Sequence, residues 1–307
     1  MSFPVLIATF ANNILPILLL GGAGFALGKA LHIESRSLGR VVFYVFSPVL
    51  IFDLLIQNRL NLKEALGVIS LTVCTILIIG LLTFLIGSLL KLERSALTAI
   101  LITTMFANTG NYGLPLVSFA FGEKALSYAG IYFVTTTFLF YTLGVFIASL
   151  GHMSLKDAAL GLFKIPTMYA VLLAIIVNAL QIQIPDPVNR AVQLAANGTI
   201  PLMLILLGVE LTRVEFSGSL RAMQLSVGLR LLVAPFVALL LASLFGIQDF
   251  ARQGSITQAS MPSMVSSTVL ATEYNLDSRL VTAVVFISTL LSPLTLTPLL
   301  VFLGRET

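Results

Sequence analysis

Long apolar stretches recur along the chain, separated by short polar connections. A helix needs about 20 mainly apolar residues to cross a bilayer core. On that rule the pattern predicts ten spanning helices, at 4–28, 37–57, 64–89, 95–121, 127–150, 165–183, 188–210, 220–245, 251–273 and 279–303. Spans 2 and 7 are more polar and contain prolines. Two stretches break the pattern from within a span. They are Asn108-Thr109-Gly110-Asn111-Tyr112-Gly113-Leu114-Pro115 in the fourth and Ser260-Met261-Pro262-Ser263 in the ninth.

A break at membrane depth is tolerated only inside protein or along a watery cavity, because lipid cannot satisfy freed backbone groups. Gly110 and Gly113 allow conformations closed to other residues, and Pro115 blocks a regular helix through the preceding turn. Asn108 and Asn111 supply amide donors and acceptors for the freed backbone. The helix restarting after the break presents an N-terminus suited to a carboxylate. In span 9 Pro262 is the breaker, with Ser260, Ser263, Ser266, Ser267 and Thr268 around it and Gln258 just upstream. A single break of this kind is read equally well as a proline kink with local repair. Two breaks in equivalent spans of two halves point to a substrate site between broken helices.

The halves repeat weakly. Ser47-Pro48 recurs as Ile200-Pro201, an offset of 153 that also aligns Phe133 with Phe286, Thr136 with Thr289, Leu143 with Leu296 and Thr109 with Pro262. Five spans per repeat make the second copy inverted, with residues 1–150 as the first repeat, 151–164 as a cytoplasmic linker and 165–307 as the second.

Composition agrees. Of 307 residues 58% are hydrophobic and 10% charged, against roughly 25% charged in soluble domains. The first span lacks a basic leader and a cleavage site and reads as a retained helix. Cys74 is the lone cysteine, which excludes an internal disulfide or a cysteine zinc site. The net charge of +4 needs no nucleic-acid partner. With the N-terminus outside, Lys29, Arg36, Arg40, Lys91, Arg94, Lys156, Lys164, Arg213, Arg221 and Arg279 fall on cytoplasmic ends, and Arg59, Lys63, Lys124, Arg190, Arg252 and Arg305 opposite. That bias puts both termini on the periplasmic or outer side.

At this point the chain resembles the auxin efflux carrier family, which includes plant PIN carriers and bacterial permeases. The run 108–115 resembles the family's fourth-helix crossover motif, and Met261-Pro262 its second. Supporting stretches are Leu15-Pro16 with Gly21-Gly22-Ala23-Gly24, Ser47-Pro48 followed by Phe52, and Arg230 with Pro235 five residues on. The resemblance implies an all-α fold like that of sodium/proton antiporters and bile-acid transporters. It has ten helices in two inverted five-helix repeats, with broken helices 4 and 9 crossing. It also implies a scaffold domain (spans 1, 2, 6 and 7), a crossover domain (spans 3–5 and 8–10) and a place in the bacterial inner membrane. The expected cargo is a small organic anion, a carboxylate or dicarboxylate, nearest Asn108 and Asn111. Expected partners are that anion, the bilayer and, as an open option, a second copy.

Other polar residues carry alternatives. Ionisable groups in spans are functional candidates, but Arg230 reads also as snorkelling to the headgroups, and side-chain reach favours that reading. Asp53, Glu210 and Glu273 lie near span ends and read as solvated mouth positions. No carboxylate falls at mid-span, which leaves the coupling ion, H+ or Na+, open; Gln258, Ser266 and Ser267 are candidate sodium ligands, and Arg230 and Asp53 candidate coupling or gating residues. His32 and His152 fall in connections, and no metal-ligand spacing or other cofactor motif occurs. Gly24 and Gly28 fit a dimer face or packing within one chain. Asn12 and Asn13 fit an outer vestibule or an interface. The leading expectation is a secondary carrier working by alternating access. A sodium-coupled symporter of the bile-acid type is the alternative, and an enzyme or receptor has no nucleophile, base, metal cluster or soluble domain to support it.

Overall fold

The structure is a computed structural model and describes residues 2–58, 61–149, 165–213 and 219–304. The linker 151–164, with His152, Lys156 and Lys164, lies outside the described residues, as do Arg59 and Arg305. Among the described residues the chain is all helical, and its one β-type pairing is an isolated bridge. Seven helices are long and apolar enough to cross a membrane: α1 (Phe3–Leu31), α2 (Ser35–Gln57), α3 (Leu62–Leu89), a long run Thr109–Ala148, α8 (Asp186–Glu210), α9 (Leu220–Leu244) and α12 (Ser278–Leu303). The shorter apolar helices are α4 (Arg94–Met105) and α7 (Pro166–Ala179). Two further pieces, α10 (Asp249–Ala259) and α11 (Ser266–Glu273), flank the second sequence break.

The run Thr109–Ala148 is not one rod. Gly122 has φ 74° and ψ −167°, outside the helical region and open chiefly to glycine. A Cβ on Gly110 would sit 3.0 Å from the Phe133 ring. Along a continuous helix those positions would be about 35 Å apart, at 1.5 Å per residue. The chain therefore folds back at Gly122, giving α5 (109–121) and α6 (123–148). The sequence reading leaves 122–126 for this connection, longer than the single glycine that makes it.

Prolines shape several helices in a common way. A five-residue widened turn, with hydrogen bonds spanning five residues, precedes Pro16, Pro48, Pro115 and Pro235, at Phe10–Ile14, Val42–Phe46, Thr109–Gly113 and Leu229–Val233. A proline ring clashes with the carbonyl four residues earlier. In all four cases that residue (Asn12, Tyr44, Asn111, Leu231) is the middle of the widened turn, which opens the helix where the clash would fall. Pro201, Pro293 and Pro298 lie in helices without such a turn beside them.

Packing inside the molecule is close where glycines allow it. A Cβ on Gly208 would run into the Gly21 carbonyl, and one on Gly24 into the Ile205 carbonyl; Gly28 faces Thr212. The glycine face of α1 is thus filled by α8 of the same chain, which decides between the two readings of Gly24 and Gly28. Outward, large apolar side chains stay bare, among them Phe236 at 71%, Leu240 at 72% and Leu294 at 73% exposure. Such surface in spanning helices belongs against lipid, and the chain is a multi-pass membrane protein.

Candidate functional site at the paired helix breaks

Buried backbone groups must find partners, and more strictly so in a bilayer. Residues 106 and 107 leave α4 in an extended conformation. Asn108 (φ −76°, ψ 65°) makes a tight turn closed by Thr109 N on Ala107 O at 2.8 Å. Residues 261–264 follow α10 outside any helix. The two segments pair antiparallel. Asn108 N donates to Pro262 O at 2.7 Å and Met264 N to Phe106 O at 2.9 Å, around the bridge Ala107–Ser263. Ser263 N donates to Ser288 Oγ at 3.1 Å. Gly113 N donates to Asn108 O at 3.0 Å, closing the widened turn on which α5 restarts. Each broken helix repairs the other.

The break in span 4 therefore lies earlier than the motif suggested. Phe106 and Ala107 carry the extended backbone, Asn108 turns the chain, and Pro115 sits within the restarted helix, after the widened turn. In the second break Pro262 lies in the non-helical segment and lends its carbonyl to Asn108.

The structure brings Asn108, Thr109, Gly110, Asn111, Gly113, Ser260, Met261, Pro262 and Ser263 into or beside this crossing. Most are buried; Asn111 is half-buried and its Nδ2 donates to Glu210 Oε2 at 3.3 Å. A carboxylate thus reaches the crossing, whereas the sequence reading left Glu210 at a solvated mouth. Asn108 Nδ2, Thr109 Oγ1, Ser263 Oγ and Ser267 Oγ are buried without a protein partner. Leaving such a group unmatched costs about 1–3 kcal/mol, so the crossing holds unused hydrogen-bonding capacity. Gln258 is fully buried; its Nε2 donates to Ala129 O at 3.1 Å and its Oε1 lies against Gly113, where any Cβ would collide. Ser266 is exposed at the start of α11.

One other candidate, Asp53, falls elsewhere, whereas Arg230 lies at the crossing. Asp53 is buried near Gln57 and Glu123, beside the Gly122 turn and away from the crossing, so the solvated-mouth reading does not hold for it. Glu273 and His32 are exposed, as read. Asn13 Nδ2 bonds Thr9 O at 2.9 Å within α1. Arg230 is 1% exposed, so the snorkelling reading fails. Its Nη1 donates to Thr104 O at 3.0 Å and its Nη2 to Ala259 O. Sequence position did not disclose this, although the widened turn before Pro235 holds the residue. Among the described residues no cluster of three metal-ligating side chains occurs.

A helical multi-pass protein with two helices broken and paired in its interior is, as a class, a membrane transporter. The profile of the family described as membrane transport protein matches residues 9–159 and 149–300. The chain belongs to that family, the auxin efflux carrier family. It is 26% identical over 287 residues to an uncharacterised transporter of Methanocaldococcus jannaschii, covering 91% of this chain and 93% of the relative. An uncharacterised transporter of Methanothermobacter thermautotrophicus is 28% identical, with 91% and 93% covered. A Rhizobium meliloti protein provisionally named a malonate transporter is 24% identical, with 95% of each chain covered.

Proposed function

We propose that the protein is a secondary carrier of a small carboxylate or dicarboxylate anion, working by alternating access. The observation that supports this most is the crossing itself. Two half-helices, α5 and α11, restart from paired extended segments, and helix N-termini attract carboxylates. Asn111 already donates to a carboxylate there, that of Glu210. The malonate name of the Rhizobium relative is in keeping with a dicarboxylate cargo.

In this reading the ten spans form two inverted repeats. Span 4 is α4 with α5, and span 9 is α10 with α11. Two contacts support it: Phe46 O accepts from Thr199 Oγ1 at 3.2 Å, 153 residues apart, and Ala107 pairs antiparallel with Ser263, 156 apart. A pseudo-two-fold axis brings residues near it together in this way, and the antiparallel pairing is centred on 108–109 opposite 261–262, positions that the offset of 153 relates. The scaffold is α1, α2, α7 and α8, and the remaining helices form the crossover domain that moves against it. The anion binds between them, at Asn108, Asn111 and the N-termini of α5 and α11. The protein sits in a bacterial inner membrane with both termini outside.

Radiolabelled malonate uptake into proteoliposomes tests this. Asn111→Ala is expected to abolish uptake while the purified protein keeps its melting temperature; undiminished uptake by the variant rejects the site. A sodium-coupled version finds support in the unpartnered oxygens of Gln258, Ser263 and Ser267. Uptake that collapses when sodium is replaced by choline selects it, and uptake that follows a pH gradient selects proton coupling.

A further inference from the structure

The crossing contains one buried charge that the anion site does not use. Arg230, in the widened turn of α9, reaches Thr104 O and Ala259 O with the two ends of its guanidinium. Thr104 lies in the last turn of α4, and Ala259 is the last residue of α10. These are the C-terminal ends of the two half-helices that stop at the crossing. Each helix C-terminus carries about half a negative charge, so two such ends together present about one, which a single guanidinium balances. Among the described residues no carboxylate forms an ion pair with Arg230, and its Nε has no partner. The facing titratable group is Tyr132, itself buried. Carrying a cation out of water without a counter-ion is costly, so its retention requires compensation from its surroundings. The carbonyl ends are what the structure offers.

We propose that Arg230 is the resident counter-cation of the crossing. It ties the C-terminal ends of α4 and α10 together and fills the electrostatic role that a bound inorganic cation would otherwise take, leaving transport independent of sodium. This rests on reading the paired breaks as a carrier's crossing. Arg230 is a positioning residue: it is sealed from solvent, and it serves the negative ends of the broken helices, whereas the anion meets the positive ends of α5 and α11. The four partners at the crossing are then matched, two positive ends with an anion and two negative ends with an arginine.

The test uses the full-length protein in proteoliposomes and in detergent. Wild-type malonate uptake is expected to be unchanged when choline replaces sodium on both sides. Arg230→Ala is expected to lose uptake by ~tenfold or more, since the two carbonyl ends are left buried and unmatched. Its melting temperature should fall and be partly restored by ~10 mM guanidinium ion, which refills the site by mass action, but not by sodium. Arg230→Lys should retain more uptake than Arg230→Ala, and should decide the matter together with the choline exchange where the alanine variant cannot be purified. A wild-type carrier that stops without sodium overturns the proposal. So does an alanine variant that matches wild type in uptake and melting, or one whose losses neither guanidinium nor lysine repairs. If wild type carries no carboxylate while guanidinium still restores the melting of Arg230→Ala, the carrier reading fails and the role of Arg230 stands.

Discussion

At Gly113 the missing side chain is a packing requirement. Gln258 Oε1 occupies the space a Cβ would need, and Met261 Cγ lies 3.1 Å from the same point. Gly113→Ala must push Gln258 off Ala129 O, and overpacking of this kind costs about 1–3 kcal/mol. A lowered melting temperature with weakened uptake is the expected result; a variant indistinguishable from wild type in both would show that Gln258 moves freely. Glu210 poses the opposite problem, because its carboxylate occupies the donor that a cargo carboxylate needs. Glu210→Gln replaces a charge-assisted hydrogen bond by a neutral one, a difference of about 1 kcal/mol. The substrate concentration for half-maximal uptake should then fall by roughly fivefold. A rise in that concentration would instead mean that Glu210 holds the cargo or the site in place.

Helix extents were legible from sequence because bilayer thickness sets them, and the apolar runs record that thickness directly. The predicted 64–89, 220–245 and 279–303 correspond to Leu62–Leu89, Leu220–Leu244 and Ser278–Leu303. The sequence also located both breaks, since glycine and proline act locally. It did not give the depth of Arg230 or Glu210. Position along a span measures depth only in a straight helix, and which face meets the crossing is set by packing between helices far apart in the chain. Nor did it place the extended residues at 106–107, because Pro115 shapes the turn before it instead of ending the helix. That device carries its own prediction. Pro115→Ala removes the clash at Asn111 and lets the turn 109–113 tighten by one residue, which rotates Asn111 by about 100° relative to α5. Uptake should fall with little loss of thermal stability. Pro298→Ala, where no widened turn stands in front, should leave uptake intact; equal effects of the two would detach the widened turn from function.

At the scale of the molecule, the proposed alternating access requires the crossover domain to slide against the scaffold, and that division sorts the contacts into two kinds. Ser127 of α6 reaches Leu54 O of α2 at 3.5 Å, and Gly130 packs beside Ile51, so these contacts cross the proposed domain boundary. Thr199 of α8 and Phe46 of α2 touch within the proposed scaffold. Paired cysteines in a Cys74→Ala background distinguish the two kinds of contact. A thiol cross-link between L54C and S127C should lower malonate uptake by ~tenfold or more and recover it on reduction, since it freezes a boundary that must open. A cross-link between F46C and T199C spans helices that travel together, and should cost little. Uptake that survives both links would mean the cargo passes a fixed framework. In that case the paired breaks would act as a static binding seat, with gating carried by smaller movements of α5 and α11 about Gly122 and the extended segments.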